Sequence, residues 1–241
     1  MVDTNVMLLA GGVAAGAVTQ RVTGIGFALV ASPLLVLVAG PFQGVVLANV
    51  LSMTVSLVVL AMTWRDVEVS RGLMLALPAL AMIPLGAIVA KRVPGPVLMV
   101  VVGVMVLIAL AAVQFTARAV ILHGAPGTIA AGAASGFMNV TAGVGGPAIV
   151  LYALSTNWNH RKFAATFQLY ALIINVASLI AKGGVQVSAT TLTTCFVALS
   201  TGLYGGHLLA SRFNGPQTRR IVTALSALGA AAIVTKGILT W

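Results

Sequence analysis

Long apolar runs, interrupted by short charged or Pro/Gly-rich punctuation, organise the chain. Six of them, Gly44–Met62, Gly72–Ala90, Val97–Phe115, Phe163–Ala181, Ala189–Ala210 and Ile221–Leu239, are close to the ~20 residues that carry a helix across a bilayer. Two further stretches, Val6–Ala39 and Gly127–Leu154, are longer and have a polar, glycine-rich middle. In the first the middle reads Thr19-Gln20-Arg21-Val22-Thr23-Gly24-Ile25-Gly26. In the second it reads Met138-Asn139-Val140-Thr141-Ala142-Gly143-Val144-Gly145-Gly146-Pro147. One straight helix over the 34 residues of Val6–Ala39 would be roughly 50 Å long, against a ~30 Å hydrocarbon core. Two full crossings need about 40 apolar residues. Each stretch is therefore expected to be a re-entrant hairpin, a helix broken at an irregular tip, since such backbone survives at membrane depth only inside protein or beside water.

The map repeats itself. Gly12 and Gly16 recur as Gly132 and Gly136, and Gly24 and Gly26 as Gly143 and Gly145. Val67, Val69 and Ser70 recur as Val185, Val187 and Ser188, and Gly86, Ala90, Arg92, Gly95 and Pro96 as Gly206, Ala210, Arg212, Gly215 and Pro216, at offsets of 118 to 120. A duplicated unit follows, residues 1–120 and 121–241, as in many secondary transporters. A hairpin plus three spans crosses the membrane an odd number of times, so the repeats are expected to be inverted. One face then holds Arg65, Arg71, Arg118, Arg161, Lys162, Arg212, Arg219 and Arg220, the other Lys91, Arg92, Lys182 and Lys236. The basic excess marks the cytoplasmic face and puts both termini outside. If the broken stretch crosses once instead, the repeats are parallel.

Composition agrees with this pattern. Of 241 residues 60% are hydrophobic and 7% charged, with mean hydropathy +1.10, where a soluble domain carries roughly 25% charged residues. The expected fold class is an all-α polytopic membrane protein of the cytoplasmic membrane, its main partner the lipid bilayer. The net charge of +10 reads as loop-borne orientation signal rather than nucleic-acid binding. The acidic start Met-Val-Asp-Thr-Asn lacks a signal peptide's basic region. Cys195 lies in an apolar run as a small packing residue. The apolar surface permits a homodimer without requiring one.

Candidate chemistry is anionic in its preference. The three carboxylates, Asp3, Asp66 and Glu68, lie outside every span, so carboxylate proton relays and carboxylate cation sites are not expected. No catalytic triad, metal motif or phosphate loop occurs, which argues against an enzyme and against any cofactor. Arg21 sits deep in an apolar stretch beside the predicted break; its guanidinium fork suits an oxyanion. A shallow hairpin would let it snorkel to the surface instead. Thr19, Gln20 and Thr23 add hydroxyls and an amide, and Gly24 and Gly26 expose backbone N–H groups where the next helix starts. The second tip offers Asn139 and Thr141, then Gly143 and Gly145. Asn49 and Gln168, equivalent at offset 119, place amides at matched mid-span positions; each could equally make an interhelical hydrogen bond. Gly12/Gly16 and Gly132/Gly136 read as helix-packing pairs. His207, the one histidine inside a span, could contact substrate or be a satisfied polar contact. Trp64, Trp158 and Trp241 fall at span ends, as interface anchors.

An ordered set of motifs carries a family resemblance over nearly the whole chain. Gly16, Gly24 and Gly26 with Pro33, then Trp64-Arg65-Asp66-Val67, then Gly86 to Pro94 form one copy. Gly136 to Gly146 with Pro147, then Gly206 to Pro216 form the second. This resembles the TauE/SafE family of sulfite exporters and sulfonate permeases. The sequence departs from the family's fuller glycine run at Gly26-Phe27 and Gly146-Pro147. It departs from the family's small-Thr-Ser segment at Ala48-Asn49-Val50-Leu51-Ser52 and Ala165-Thr166-Phe167-Gln168. The resemblance implies movement of a small sulfur-containing anion. The residues place that anion between the hairpin tips of a secondary transporter, and an inside-negative potential favours its export. An anion channel lined by the same amides, and a non-transporting membrane scaffold, are the alternative readings.

Overall fold

The computed structural model describes residues 4–23, 26–115, 122–185, 187–209 and 215–241. These residues are helical apart from short connections. The helices are α1 (Thr4–Thr23), α2 (Phe27–Ala39), α3 (Pro41–Thr63), α4 (Val69–Arg92), α5 (Gly95–Phe115), α6 (Gly124–Ala142), α7 (Gly146–Ser155), α8 (His160–Lys182), α9 (Ala189–Leu209) and α10 (Gly215–Leu239). One 3₁₀ turn, Trp64–Asp66, follows α3. Five described helices, α3, α4, α5, α8 and α10, are long and apolar enough to cross a membrane. This is an all-α polytopic membrane fold.

Both long stretches break where the glycines stand. α1 and α2 fold back antiparallel: a side chain at Gly12 would meet Leu34, and one at Gly16 would meet Ala31 and Phe27. α6 and α7 do the same around Gly143, which caps α6 in the left-handed conformation (φ 71°) that glycine adopts without a Cβ penalty. The returning helices are short. The 13 residues of α2 and 10 of α7 span about 20 and 15 Å, too little for the ~30 Å core.

The ends of the hairpins fix their directions. At one end, Leu9 of α1 and Ala39 of α2 lie with Gln43 of α3 and Thr191 of α9. There too Lys91 reaches the Ala181 carbonyl near the end of α8 (2.8 Å), and Lys236 reaches the Leu37 carbonyl near the end of α2 (2.8 Å). At the other end, Thr128 near the start of α6 donates to the Tyr152 hydroxyl near the end of α7 (3.2 Å), and Arg71 of α4 donates to Thr156 (2.8 Å). The hairpins thus open at opposite ends, and their tips face each other in the middle.

Packing crosses from the first five helices to the last five. α1 lies against α9, α4 against α6, α5 against α10 and α3 against α8. The closest contacts use small residues. Gly202 of α9 stands over Ala14 and Ala17 of α1, and Gly206 over Val18 and Arg21. Gly136 of α6 stands over Ala79 of α4, and Gly86 of α4 over Phe137 and Val140. The two glycine pairs matched in the sequence therefore differ in role. Gly12 and Gly16 let α2 approach α1, whereas Gly132 and Gly136 let α4 approach α6. The tips follow offset 119 rather than 120, which puts Ser135 opposite Gly16.

Polarity is inverted relative to a soluble protein. Met62, Leu77 and Ile180 are 72%, 67% and 73% exposed, while Ser32, Asn49, Ser135 and Ser178 are fully buried. Apolar side chains face lipid, and Ser32, Ser135 and Ser178 hold the interior by hydrogen bonds. Cys195 is buried among apolar neighbours, as expected. Gly202→Ala puts a methyl group within 2.7 Å of the Ala14 carbonyl and should lower stability by about 1–3 kcal/mol. Gly205→Ala, where nothing lies within 4 Å, should be neutral or slightly stabilising. Unfolding of the detergent-purified variants reads both.

Candidate functional site

A cavity of about 40 Å³ lies where the two tips meet the middles of α3 and α8. It is about three to four times the 10–15 Å³ that one water centre needs, a size for a small oxyanion. Gln20, Phe27, Ala28 and Leu29 come from the first hairpin, and Asn139 and Val144 to Pro147 from the second. Ser52, Val55 and Ser56 of α3 and Phe167, Gln168, Ala171, Ile174 and Asn175 of α8 close it. None of these lining residues carries a charge.

Each tip is completed by side chains. Gln20 Oε1 accepts the Phe27 backbone N–H (3.0 Å), which caps α2 across the break. Its counterpart Asn139 donates from Nδ2 to Asn175 Oδ1 and Ser178 Oγ, both at 3.1 Å. The Ser135 hydroxyl donates to the Gly145 carbonyl (2.7 Å), and Ser32 of α2 donates to the Ala142 carbonyl at the end of α6. A side chain at Gly145 would strike Ser135 and Asn139. The tips are thereby rigid, and one hairpin supports the other.

Two helix N-termini open on this cavity. The first helical bond of α2 runs from Val30 to the Gly26 carbonyl, so the N–H groups of Ala28 and Leu29 have no intrahelical partner. α7 starts at Gly146-Pro147 with no side-chain cap. Each N-terminus is worth roughly half a positive charge. A helix N-terminus favours a small anion over a cation, and here two of them stand beside an uncharged lining, although Pro147 removes one N–H from the start of α7.

The other sequence candidates take up various places. Asn49 lies one turn before Ser52, fully buried, and neither amide atom has a hydrogen-bond partner. Thr19 bonds to the Ala15 carbonyl (2.8 Å). Thr141 bonds to the Phe137 carbonyl (2.6 Å), and Gly143 packs on Ser32 and Ala48. Gly26 is the N-cap of α2. Gly24 and the side chain of Thr23 lie outside the described residues. Arg21 is exposed: its Nη2 lies 2.9 Å from His207 Nδ1 on α9. Neither residue lines the cavity, because Arg21 is rotated ~100° from Gln20 around α1 onto the face that packs on Gly206. The sequence reading missed Ser56, Asn175 and Ser178, and met Ser52 only as the end of the Ala48–Ser52 segment. Their signal is spacing: Asn175 and Ser178 follow Gln168 by seven and ten residues, along one helix face.

The Thr156 end is strapped by charge. Lys162 Nζ lies 3.0 Å from Glu68 Oε1, Trp158 donates to Glu68 Oε2 (2.8 Å), and Arg161 pairs with Asp66 (2.7 Å). The Arg71 guanidinium stacks on Trp158 at 3.9 Å. Trp158 thus takes part in the strap, while Trp64 and Trp241 are exposed. The Lys162 hydrogen bond, with those of Trp158 and the charges of Lys162 and Arg71, outweighs desolvation and lowers the Glu68 pKa from its ordinary 4.5.

A multi-pass helical membrane protein with a polar cavity between two broken helices is the class that this fold and site define. The chain belongs to the sulfite exporter TauE/SafE family: the family model matches residues 8–233 of the 241. It is a membrane transporter of the sulfite/sulfonate type. No curated protein and no solved structure matches it.

A depressed carboxylate stabilises the fold above its unfolded pKa, and that contribution is lost as pH falls through the folded value. Stability of the wild type should therefore fall as pH drops from about 4.5, part of that loss coming from Glu68. Glu68→Gln should be less stable at neutral pH and show a shallower acid decline, read by thermal unfolding between about pH 3 and 7.

Proposed function

We propose that the chain is a secondary transporter for a small sulfur-containing anion, sulfite or a small organosulfonate, bound in the cavity between the hairpin tips. The single observation that carries the reading is the pair of helix N-termini, of α2 and α7, opening on an uncharged amide- and hydroxyl-lined cavity at the middle of the bundle. Gln168 and Asn175 orient the oxygens from one side, Ser52 and Ser56 from the other, and Asn139, by donating to Asn175 Oδ1, fixes which way that amide points. Gln20 holds the first tip in shape. Arg21 lies outside this set and acts on the anion only through its longer-range field.

Residues 1–120 and 121–241 are read as inverted repeats. What supports this is the exchange of partners between them: α1 packs on α9 as α6 packs on α4, while α3/α8 and α5/α10 pair with their own counterparts. Opposed hairpins that open at opposite ends fit the same reading. Alternating access follows if the end strapped by Glu68 opens when the Leu9 end closes. The strapped end, with Arg65, Arg71, Arg161, Lys162 and Arg220, is assigned to the cytoplasm. At an inside-negative potential an anion leaving the cell gains roughly 2.3 kcal/mol per charge per 100 mV, which favours export.

The test is sulfite counterflow in proteoliposomes, with anion-dependent thermal stabilisation of the purified protein alongside. Wild type should be stabilised by sulfite or a small sulfonate and not by chloride. Gln168→Leu should lose both stabilisation and at least tenfold of the counterflow, whereas Arg21→Ala should have the smaller effect. Stabilisation by no anion in the wild type, or a larger loss at Arg21 than at Gln168, would overturn the assignment.

A further inference from the structure

A polar seam leaves the central cavity along α8. Gln168, Asn175, Ser178 and Lys182 stand at i, i+7, i+10 and i+14, which the helical repeat aligns on one face. All four are buried. Gln168 and Asn175 line the cavity, and Ser178 accepts from Asn139. Lys182 ends the seam at the last residue of α8.

Lys182 is unusual in this environment. It is 4% exposed, and its Nζ has no hydrogen-bond partner. Among the described residues its charge is answered by the Phe42 ring, 5.3 Å away, and by the C-terminal end of its own helix. Asp66 and Glu68 are bound to Arg161 and Lys162 at the opposite end, and Asp3 lies outside the described residues. A buried ammonium without a counter-ion is strongly disfavoured, and one ring face offsets only part of that cost. Next to Phe42, Gln43 also keeps a buried amide oxygen unpaired, and it lines a second cavity of about 290 Å³ at this end, with Ser188 and Thr191. A buried amine, an unpaired amide oxygen and a cavity thus share the end opposite the strap, and Lys182 lines neither of the two cavities.

We propose that Lys182 is a second anion-binding group, a station for the transported oxyanion between the cavity at Gln43 and the central cavity, with the α8 seam as its route. The inference rests on the transport reading above. Its ligand class is a small oxyanion with no large apolar part.

The experiment compares wild type, Lys182→Met and Lys182→Arg by sulfite counterflow in proteoliposomes and by thermal unfolding with and without sulfite. Met keeps the apolar stem and removes only the charge. Lys182→Met should unfold at the same or a higher temperature, keep the sulfite-dependent stabilisation of the central site, and lose counterflow at least tenfold. Lys182→Arg should keep more than a third of the wild-type rate. Should Lys182→Met fail to fold, Lys182→Cys in a Cys195→Ala background replaces it: alkylation with 2-bromoethylamine, whose thioether carries the ammonium and is not cleaved by sulfite, should restore counterflow, and iodoacetamide should not. Counterflow by Lys182→Met within twofold of wild type overturns the station. So does an arginine variant as inactive as the methionine one, or a cysteine variant that both reagents rescue alike. If wild type shows neither stabilisation nor counterflow with any sulfur oxyanion, the transport reading itself has failed, a result distinct from these.

Discussion

Hydrocarbon offers no hydrogen bonds, and this constraint governs the whole molecule. Two helices break at the centre of the bundle, and every backbone group freed there has to be met by protein or enclosed water. Gln20 meets Phe27, Ser135 meets Gly145, and Ser32 of one hairpin meets Ala142 of the other. The tips are consequently mutual supports. The N–H groups left over at Ala28 and Leu29 belong to residues that line an enclosed space between the tips.

Charge is distributed as sparingly as hydrogen bonds. Two carboxylates, Asp66 and Glu68, are placed where they pair with Arg161 and Lys162 and tie the α3–α4 connection to the start of α8. The Leu9 end has no such ion pair among the described residues; there Lys91 and Lys236 are satisfied by helix-terminal carbonyls. The two ends are therefore held by interactions of different kind. One is set by paired charges, sensitive to pH and salt; the other by charge against helix dipoles and a buried amine over an aromatic ring.

Much of this was legible in the residues. The polar, glycine-rich middles of Val6–Ala39 and Gly127–Leu154 announced both breaks, because no apolar helix needs Gln-Arg or a Gly-Val-Gly-Gly run at its centre. Gln20, Asn139, Gly145 and Gln168 reached the cavity as their positions suggested. Arg21 did not, because the face that a helical residue presents depends on its neighbour, and only the docking of α9 shows that Arg21 turns toward His207. Ser52, Ser56 and Ser178 are silent one at a time, since serine is common at helix contacts in membranes. The slip of one residue between Gly16 and Gly136 was hidden because small residues line both the contact within a hairpin and the contact across to α4.

The glycine-lined crossings have a consequence for how the chain holds together. α1 is seated on α9 and α6 on α4, so each hairpin is gripped by a helix from the other end of the sequence. The first five helices and the last five are interlocked rather than apposed, with the covalent link between α5 and α6 adding little to their union. Cut there, the two pieces would each bare a strip of glycine and alanine that lipid tails fill poorly, and each would find its best solvent in the other.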